Sequence, residues 1–216
     1  MCGSAWRYDD GMKRRSLFGL PALAFLQPPA AAVNAVRSWQ AARHAQDDWL
    51  DENSAKHRVI LDTWNPEHFA DALQFAGNIV ETNKTDYDIA ASELAVVIVT
   101  RHRTTPFAFN DAMWAKYGNA YSRQMAWTAP NAKEPPTANP YAGRLTALAA
   151  GGITLAICNR TTRAYSANAA RQAGADADAV RKEMMTNTVI AGHFVPAGVV
   201  CVTRAQERGY ANISIG

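Results

Sequence analysis

The segment LAVVIVT at residues 94–100 constrains the fold more than any other stretch of the chain. Every residue before its closing threonine is apolar, so no alternation separates a buried face from a solvated one. A strand of this kind is covered on both sides, which is typical of a parallel sheet flanked by helices. The segment therefore predicts an α/β domain.

Strand and helix patterns alternate along the rest of the chain. An apolar strand at 58–64 is followed by Phe69, Leu73, Ala76 and Val80, which recur at helical spacing. Three more strands are predicted at ITLAIC (153–158), HFV (193–195) and YANISI (210–215). Such alternation predicts a three-layer α/β sandwich around a mostly parallel, five-stranded sheet with right-handed crossovers.

Polar residues and proline predict where several helices begin. Thr161 or Thr162 is expected to cap the helix after the third strand, and Asp176 or Asp178 the helix after that. Pro196 is expected in the first turn of the last helix, because proline lacks the amide proton that would go unused there.

The chain is expected to form one domain, at residues 57–216, because 216 residues are too few for two α/β domains of ordinary size. Residues 33–56 are predicted to be a helical arm or linker. Residues 127–143 hold four of the ten prolines and no hydrophobic period, which predicts a long loop. Loops of that length are usually lids, binding segments or disordered connections, and a lid or oligomer contact is favoured here.

Residues 1–32 have the order of an export signal. A basic cluster beginning at Met12 precedes a short apolar run, Leu17 to Leu26, and small residues follow at 30–32. The run is about half of the roughly 20 residues that span a bilayer, so no stable membrane span is expected. The pair Arg14 and Arg15 resembles a twin-arginine signal, which predicts a periplasmic or otherwise exported protein, with Met12 as a possible true start.

The charge balance argues against a nucleic-acid partner. The chain has a formal net charge of +3, and residues 1–32 hold four of its 22 basic and two of its 19 acidic residues. The remaining chain is close to neutral with well-mixed charges, whereas nucleic-acid binders concentrate positive charge on one surface.

Candidate chemistry is expected beyond the carboxyl ends of the predicted strands, where open parallel sheets bind their ligands. Cys158 lies there, and a thiol open at this edge would face helix amino-termini that favour an anion. The candidate ligand-binding residues at the same edge are Arg101, His102, Asn159, Arg160, Ala197 and Gly198.

Two interpretations of Cys158 stay open at this point. Nearby arginine or histidine would favour the thiolate and make the sulfur nucleophilic. Alternatively, Cys158 is a small apolar residue that packs at the end of a strand. Cys201 follows an apolar run and is predicted to belong to the core, and a disulfide between the two is possible only if their α-carbons lie within about 7 Å.

The sequence predicts neither a metal nor a cofactor. His57 and His68 flank the first strand without metal-ligand spacing. The glycine pair at 151–152 precedes its strand, whereas a phosphate-binding glycine loop follows one.

Two segments carry a resemblance to a known family. GGITLAICNRTT (151–162) and VPAGVVCVTRAQERGYANISIG (195–216) resemble the DsrE/DsrF-like, or YchN-like, sulfur-relay family. The likeness covers most of residues 57–216 and points to an exported branch of that family. Two departures are TRHRTTPF after the second strand, where a glycine-containing turn is usual, and the proline-rich loop, which looks like an insertion.

The resemblance implies a small α/β domain that assembles into homotrimers or homohexamers. In some members a cysteine carries sulfane sulfur as a persulfide, and Cys158 matches that cysteine. The first functional hypothesis is therefore a sulfur carrier or sulfurtransferase acting on a small sulfur-containing ligand. The alternative is a non-catalytic oligomeric module that binds a small anionic ligand at the carboxyl edge of the sheet.

Overall fold

The computed structural model describes residues 40–52 and 55–216. In this part of the chain five strands form one sheet in the order β4-β3-β2-β1-β5, and every neighbouring pair is parallel. The strands are β1 (His57–Thr63), β2 (Leu94–Thr100), β3 (Thr154–Cys158), β4 (Gly192–Val195) and β5 (Ala211–Ile215). The predicted export signal lies outside the described residues.

Six α-helices connect and cover these strands within the described ranges. They are α1 (Phe69–Asp86), α2 (Asp111–Met125), α3 (Ala142–Ala150), α4 (Asn159–Ala173), α5 (Ala177–Thr186) and α6 (Gly198–Gln206). Short 3-10 helices occur at Ala45–Asp51, Pro66–His68, Ala91–Glu93 and His102–Ala108. None of these helices is long and apolar enough to cross a membrane.

The sheet separates two apolar cores, which makes the predicted three-layer sandwich. In β2, Ile98 faces the larger core with α1 to α5, whereas Val97 and Val99 face the smaller core with α6. Leu50 is fully buried in the smaller core, so the second half of the predicted arm packs on the sheet. The uninterrupted apolar run at 94–100 follows from this, because both faces of β2 are covered.

The helices after β3 and β4 diverge to opposite faces of the sheet. Residues of α4 join the larger core, whereas residues of α6 join the smaller one. In open α/β sheets a crevice forms at the carboxyl edge where consecutive connections separate in this way. Here the crevice lies between the ends of β3 and β4.

Two predicted helix starts are wrong by a few residues. The helix after β3 begins at Asn159 with Cys158 as its N-cap residue, so Thr161 and Thr162 lie inside the first turn. The chain passes from strand to helix without a loop because Cys158 keeps extended dihedrals. The last helix begins at Gly198, and Pro196 lies two residues before it, with its carbonyl bonded to the Arg160 N–H. Asp176 caps its helix as predicted.

The proline-rich segment is a loop, as predicted, although its last two residues belong to α3. Asn139 fastens its end to the domain, because the buried side-chain amide donates to the Phe107 and Phe109 carbonyls at 2.8 and 2.7 Å. The Asn139 backbone N–H also donates to Asp111 at 2.8 Å.

Candidate functional site

The carboxyl ends of the strands meet at one edge, so the predicted residues come together there. Thr63 of β1 lies beside Thr100 of β2, and Cys158 of β3 lies beside Val195 of β4. Residues 101–103, 159–160 and 196–198 follow these strand ends directly. The site is therefore built from loops that begin at neighbouring strands.

Cys158 is buried at this edge, with only 4% of its surface exposed. The expectation that its sulfur lies open at the rim is wrong. Cys158 ends a strand that has a neighbour on each side, and the first turn of α4 closes over it. The amino-terminus of α4 nevertheless lies at this residue, and the positive end of a helix favours an anion.

The Thr161 hydroxyl lies against the sulfur. It donates to Cys158 Sγ at 3.2 Å and accepts from the His102 backbone N–H at 3.3 Å. The neighbouring Thr162 hydroxyl donates to the Cys158 carbonyl at 2.9 Å. Thr161 therefore joins the loop after β2 to the sulfur at the end of β3.

Arg101 is paired with a carboxylate, which the sequence analysis did not foresee. Its Nε and Nη2 atoms donate to the two Asp62 oxygens at 2.6 and 2.9 Å, and its side chain is 23% exposed. The hydrogen bond with Asp62 raises the pKa of Arg101 against the effect of burial, and the charges of Asp62 and the nearby Cys158 sulfur raise it further. Asp62 therefore balances much of the positive charge that Arg101 brings to the sulfur.

His102 and Arg103 follow Arg101 but differ in their surroundings. His102 is exposed and has a left-handed backbone with φ of 53°, which is uncommon for a residue other than glycine. Arg103 bonds to the Met125 and Ala126 carbonyls at the end of α2. Arg103 is thus fixed in place, whereas the His102 ring is presented at the surface.

Two depressions flank the first turn of α4, and Arg160 lines both. One, of about 480 Å³, is also lined by His102, Arg103, Thr161 and Tyr165. The other, of about 670 Å³, is the crevice between the ends of β3 and β4, and its lining includes Asn159, Arg163, Phe194, Pro196 and Ala197. Among the described residues that line these depressions none is acidic, so both favour an anionic ligand.

The amino-terminus of α6 packs directly on Arg101. Ala197 is the N-cap residue and Gly198 begins the helix. A Cβ atom at Gly198 would lie 2.6 Å from the Arg101 Cβ and 3.1 Å from the Val99 Cγ1. The close approach of α6 to this edge therefore depends on glycine at this position.

Cys201 belongs to the core, as predicted, and is 2% exposed. Burial raises the pKa of its thiol to about 12, with smaller effects of Asp47, Asp62 and Cys158. Cys158 and Cys201 are both free thiols, so the possible disulfide is not formed. Cys201 is accordingly a neutral, apolar side chain at physiological pH.

The described histidines do not form a metal centre. His68 pairs with Asp71 at 3.1 Å, and His193 stacks on Trp49 with ring centroids 4.2 Å apart. Burial lowers the pKa of His193, with a small opposing effect of Glu52. Within residues 40–52 and 55–216, no three His, Cys, Asp or Glu side chains cluster so that they could hold a metal ion.

Sequence reasoning missed Thr161 as a contact of the sulfur and Asp62 as the partner of Arg101. The signal for Thr161 is its spacing, because residues three apart at the start of a helix lie on one face. The signal for Asp62 is its place one residue before the end of β1, next to the strand that Arg101 follows.

No protein-family model matches the sequence, and a search of curated proteins found no significant match.

Proposed function

We propose that this protein is a sulfane-sulfur carrier or sulfurtransferase that holds sulfur as a persulfide on Cys158. The observation that supports the proposal best is the environment of the sulfur. Cys158 is the N-cap residue of α4, accepts a hydrogen bond from Thr161 and lies within the electrostatic reach of Arg101. A helix amino-terminus, a hydroxyl donor and a nearby cation are features that activate cysteines.

The reaction needs no external oxidant. The Cys158 thiol loses its proton to water, and the thiolate attacks the sulfane sulfur of a donor such as polysulfide. A new S–S bond forms as the donor's own S–S bond breaks, and the remaining donor sulfur leaves with the electron pair. An acceptor thiolate then attacks the outer sulfur, which returns Cys158 to its thiolate form.

The donor would reach the sulfur through the depression of about 480 Å³ beside α4. Thr161 lines this depression and also contacts Cys158, so it stands between the two. In the proposed cycle its side chain turns away to admit the donor, while His102, Arg103 and Arg160 attract the donor's negative charge.

The proposal also covers the cellular location and the oligomeric state of the protein. The leader at residues 1–32 would direct it to the periplasm, or otherwise out of the cytoplasm, by a twin-arginine-like route. The domain would assemble as a homotrimer or homohexamer, with no nucleic-acid partner.

Selective alkylation of the folded protein tests whether Cys158 is reactive. The processed protein is treated with iodoacetamide at neutral pH, and the modified cysteines are identified by peptide mass spectrometry. We expect Cys158 to react well before Cys201, which serves as the internal control for a buried thiol. Equal, slow labelling of both, appearing only with unfolding, would remove the basis for a carrier function.

A second candidate function is an oligomeric module that binds a small anion without catalysis. It is favoured by the crevice between β3 and β4, where the Arg160 and Arg163 side chains have no ion-pair partner among the described residues. In this case Cys158 only packs at the strand end.

Binding of inorganic sulfate or phosphate distinguishes this candidate. It predicts that Cys158→Ser keeps both anion binding and oligomer size, whereas Arg160→Gln with Arg163→Gln weakens the binding. Loss of anion binding in a variant of Arg101 or His102 alone would place the anion nearer the sulfur instead. Absence of binding in the unchanged protein would exclude the module.

A further inference from the structure

A row of three connected depressions runs along α4. The crevice between the ends of β3 and β4 shares Arg160 with the depression beside the first turn of α4. That depression shares Gln124 and Ala164 with a third one, of about 520 Å³, which is lined by the end of α2 and the second half of α4. The three depressions therefore form one continuous surface, which leads from the carboxyl edge of the sheet along α4.

This surface is rich in arginine. Among the described residues that line it none is acidic, and α4 itself contains no acidic residue between Asn159 and Ala173. Along α4, Arg160 and Arg171 lie on the same face as Ala164 and Ala167, because these positions recur three or four residues apart. The arginines that line the surface are Arg103, Arg123, Arg160, Arg163 and Arg171.

The charges of these five arginines are not balanced within the part of the chain that the structure describes. Arg171 donates to the Asn168 amide oxygen at 3.3 Å and Arg103 donates to backbone carbonyls, and no carboxylate pairs with any of the five. Elsewhere most described arginines do pair with a carboxylate, namely Arg43, Arg58, Arg101, Arg181, Arg204 and Arg208. The surface along α4 is therefore a local concentration of uncompensated positive charge. We call it the arginine surface.

The length of the arginine surface exceeds that of a small anion. Arg160 and Arg171 are separated by three turns of α4, which correspond to roughly 16 Å along the helix axis. An extended polypeptide advances about 3.3 Å per residue, so about five residues cover this distance. A sulfate or phosphate ion reaches one end only, whereas an extended chain with several negative charges reaches both.

The remaining lining residues favour a polypeptide over a nucleic acid. The third depression is also lined by Gln124, Asn168 and Gln172, whose amides both donate and accept hydrogen bonds, as a peptide backbone does. Proteins that bind single-stranded nucleic acids stack the bases on exposed aromatic side chains. Of the tyrosine, phenylalanine and tryptophan residues in the described chain, only Tyr165 and Phe194 line the arginine surface, and neither is exposed.

We propose that the arginine surface binds an extended acidic segment of a partner polypeptide. Glutamate or aspartate side chains of the segment pair with the guanidinium groups, which match carboxylates in a bidentate arrangement. The segment backbone bonds to the amides of Gln124 and Gln172. Recognition of acidic motifs by clustered arginines is a recurrent mode of peptide binding. This surface does not depend on the chemistry proposed for Cys158.

Fluorescence anisotropy with labelled peptides and the full-length protein tests the proposal. The probes are a peptide of six consecutive glutamates, a peptide of six glutamines and an oligothymidylate with six phosphates. We expect the glutamate peptide to bind, the glutamine peptide not to bind, and added salt to weaken the binding, because ion pairs at a surface are screened. If the glutamate peptide does not bind, or if the oligothymidylate binds more tightly, the proposal is overturned.

Substitutions at the far end of the surface locate the binding. Arg123→Gln with Arg171→Gln removes two charges from the third depression and should weaken binding of the glutamate peptide at least about fivefold. The matched control is Lys84→Gln with Arg144→Gln, which removes two exposed positive charges from α1 and α3 and should leave the binding unchanged. Equal weakening in both double variants would show a general charge effect and overturn the proposal. Cys158→Ser should bind the peptide as the unchanged protein does, so failure of the carrier function would not affect this result.

Discussion

The hydroxyl of Thr161 donates a hydrogen bond to the sulfur of Cys158 across 3.2 Å, within the first turn of α4. Because the hydroxyl also accepts from the His102 N–H, its proton is directed toward the sulfur. In the proposed carrier mechanism this donor is one of the groups that support the nucleophilic sulfur. The Thr161 side chain also covers the sulfur, so in the proposed mechanism it affects both the reactivity of Cys158 and the access of a donor to it.

Thr161→Val should lower the reactivity of Cys158. The substitution keeps the shape of the side chain but removes the donor, so we expect the alkylation rate at neutral pH to fall about tenfold. Stopped-time labelling with iodoacetamide measures the rate. Thr146→Val is the control, because that hydroxyl bonds only within α3. A rate equal to or above that of the unchanged protein would mean that Thr161 only blocks access.

Asp62→Asn and Arg101→Gln should change the alkylation rate of Cys158 in opposite directions. Removal of the Asp62 charge leaves the Arg101 charge unbalanced beside the sulfur, which should raise the alkylation rate at neutral pH. Removal of the Arg101 charge should lower the rate and, by leaving the buried Asp62 carboxylate unpaired, also lower the free energy of unfolding by about 2 kcal/mol. If both variants change the rate in the same direction, the electrostatic account of the sulfur is incorrect.

Gly198→Ala should destabilise the domain, because the new methyl group meets the Arg101 side chain and Val99. Overpacking of this kind costs about 1–3 kcal/mol, and urea unfolding measures the loss. Gly143→Ala is the matched control, since nothing lies within 4 Å of its new methyl group and alanine favours the helix. Equal stability of the two variants would show that α6 can shift away from Arg101 without cost.

Acidification should weaken the packing of His193 on Trp49. Burial lowers the pKa of His193 in the folded state, so the unfolded chain binds the proton more readily. The contribution of His193 to the free energy of unfolding is therefore complete above its ordinary pKa of 6.5 and is lost as the pH falls below it.

Urea unfolding between pH 7.5 and 5 should show this loss as a fall in the free energy of unfolding. His193→Gln should flatten the curve of unfolding free energy against pH. His44→Gln, at an exposed position, should leave the curve unchanged. A curve for His193→Gln that is as steep as that of the unchanged protein would assign the pH dependence to other groups.

The sheet was predictable from the sequence because its strands are continuous apolar runs. The segment at 94–100 forms β2 with the predicted bounds, and the five predicted strands all occur, in a sheet that is fully parallel. The order of the strands was not predictable, because apolar runs determine burial but not which strands become neighbours. The helix starts at Asn159 and Gly198 were missed because the backbone around Cys158 and Ala197 makes the turn without the usual capping side chains.

The location of the candidate site was predictable from the sequence, but its side-chain contacts were not. Parallel strands bring Arg101 and Cys158 to one edge, and the sequence predicts that edge. The burial of Cys158 and the pairing of Arg101 with Asp62 depend on side-chain packing, which the spacing of residues does not determine.

The formation of a persulfide on Cys158 is the most direct test of the proposed function. The processed protein is incubated with polysulfide, and intact-mass and peptide mass spectrometry locate any added sulfur. The account predicts one added sulfur on Cys158 that a thiol acceptor removes, no addition in Cys158→Ser, and normal addition in Cys201→Ser. Sulfur that fails to add to Cys158, or that adds only after unfolding, would contradict it.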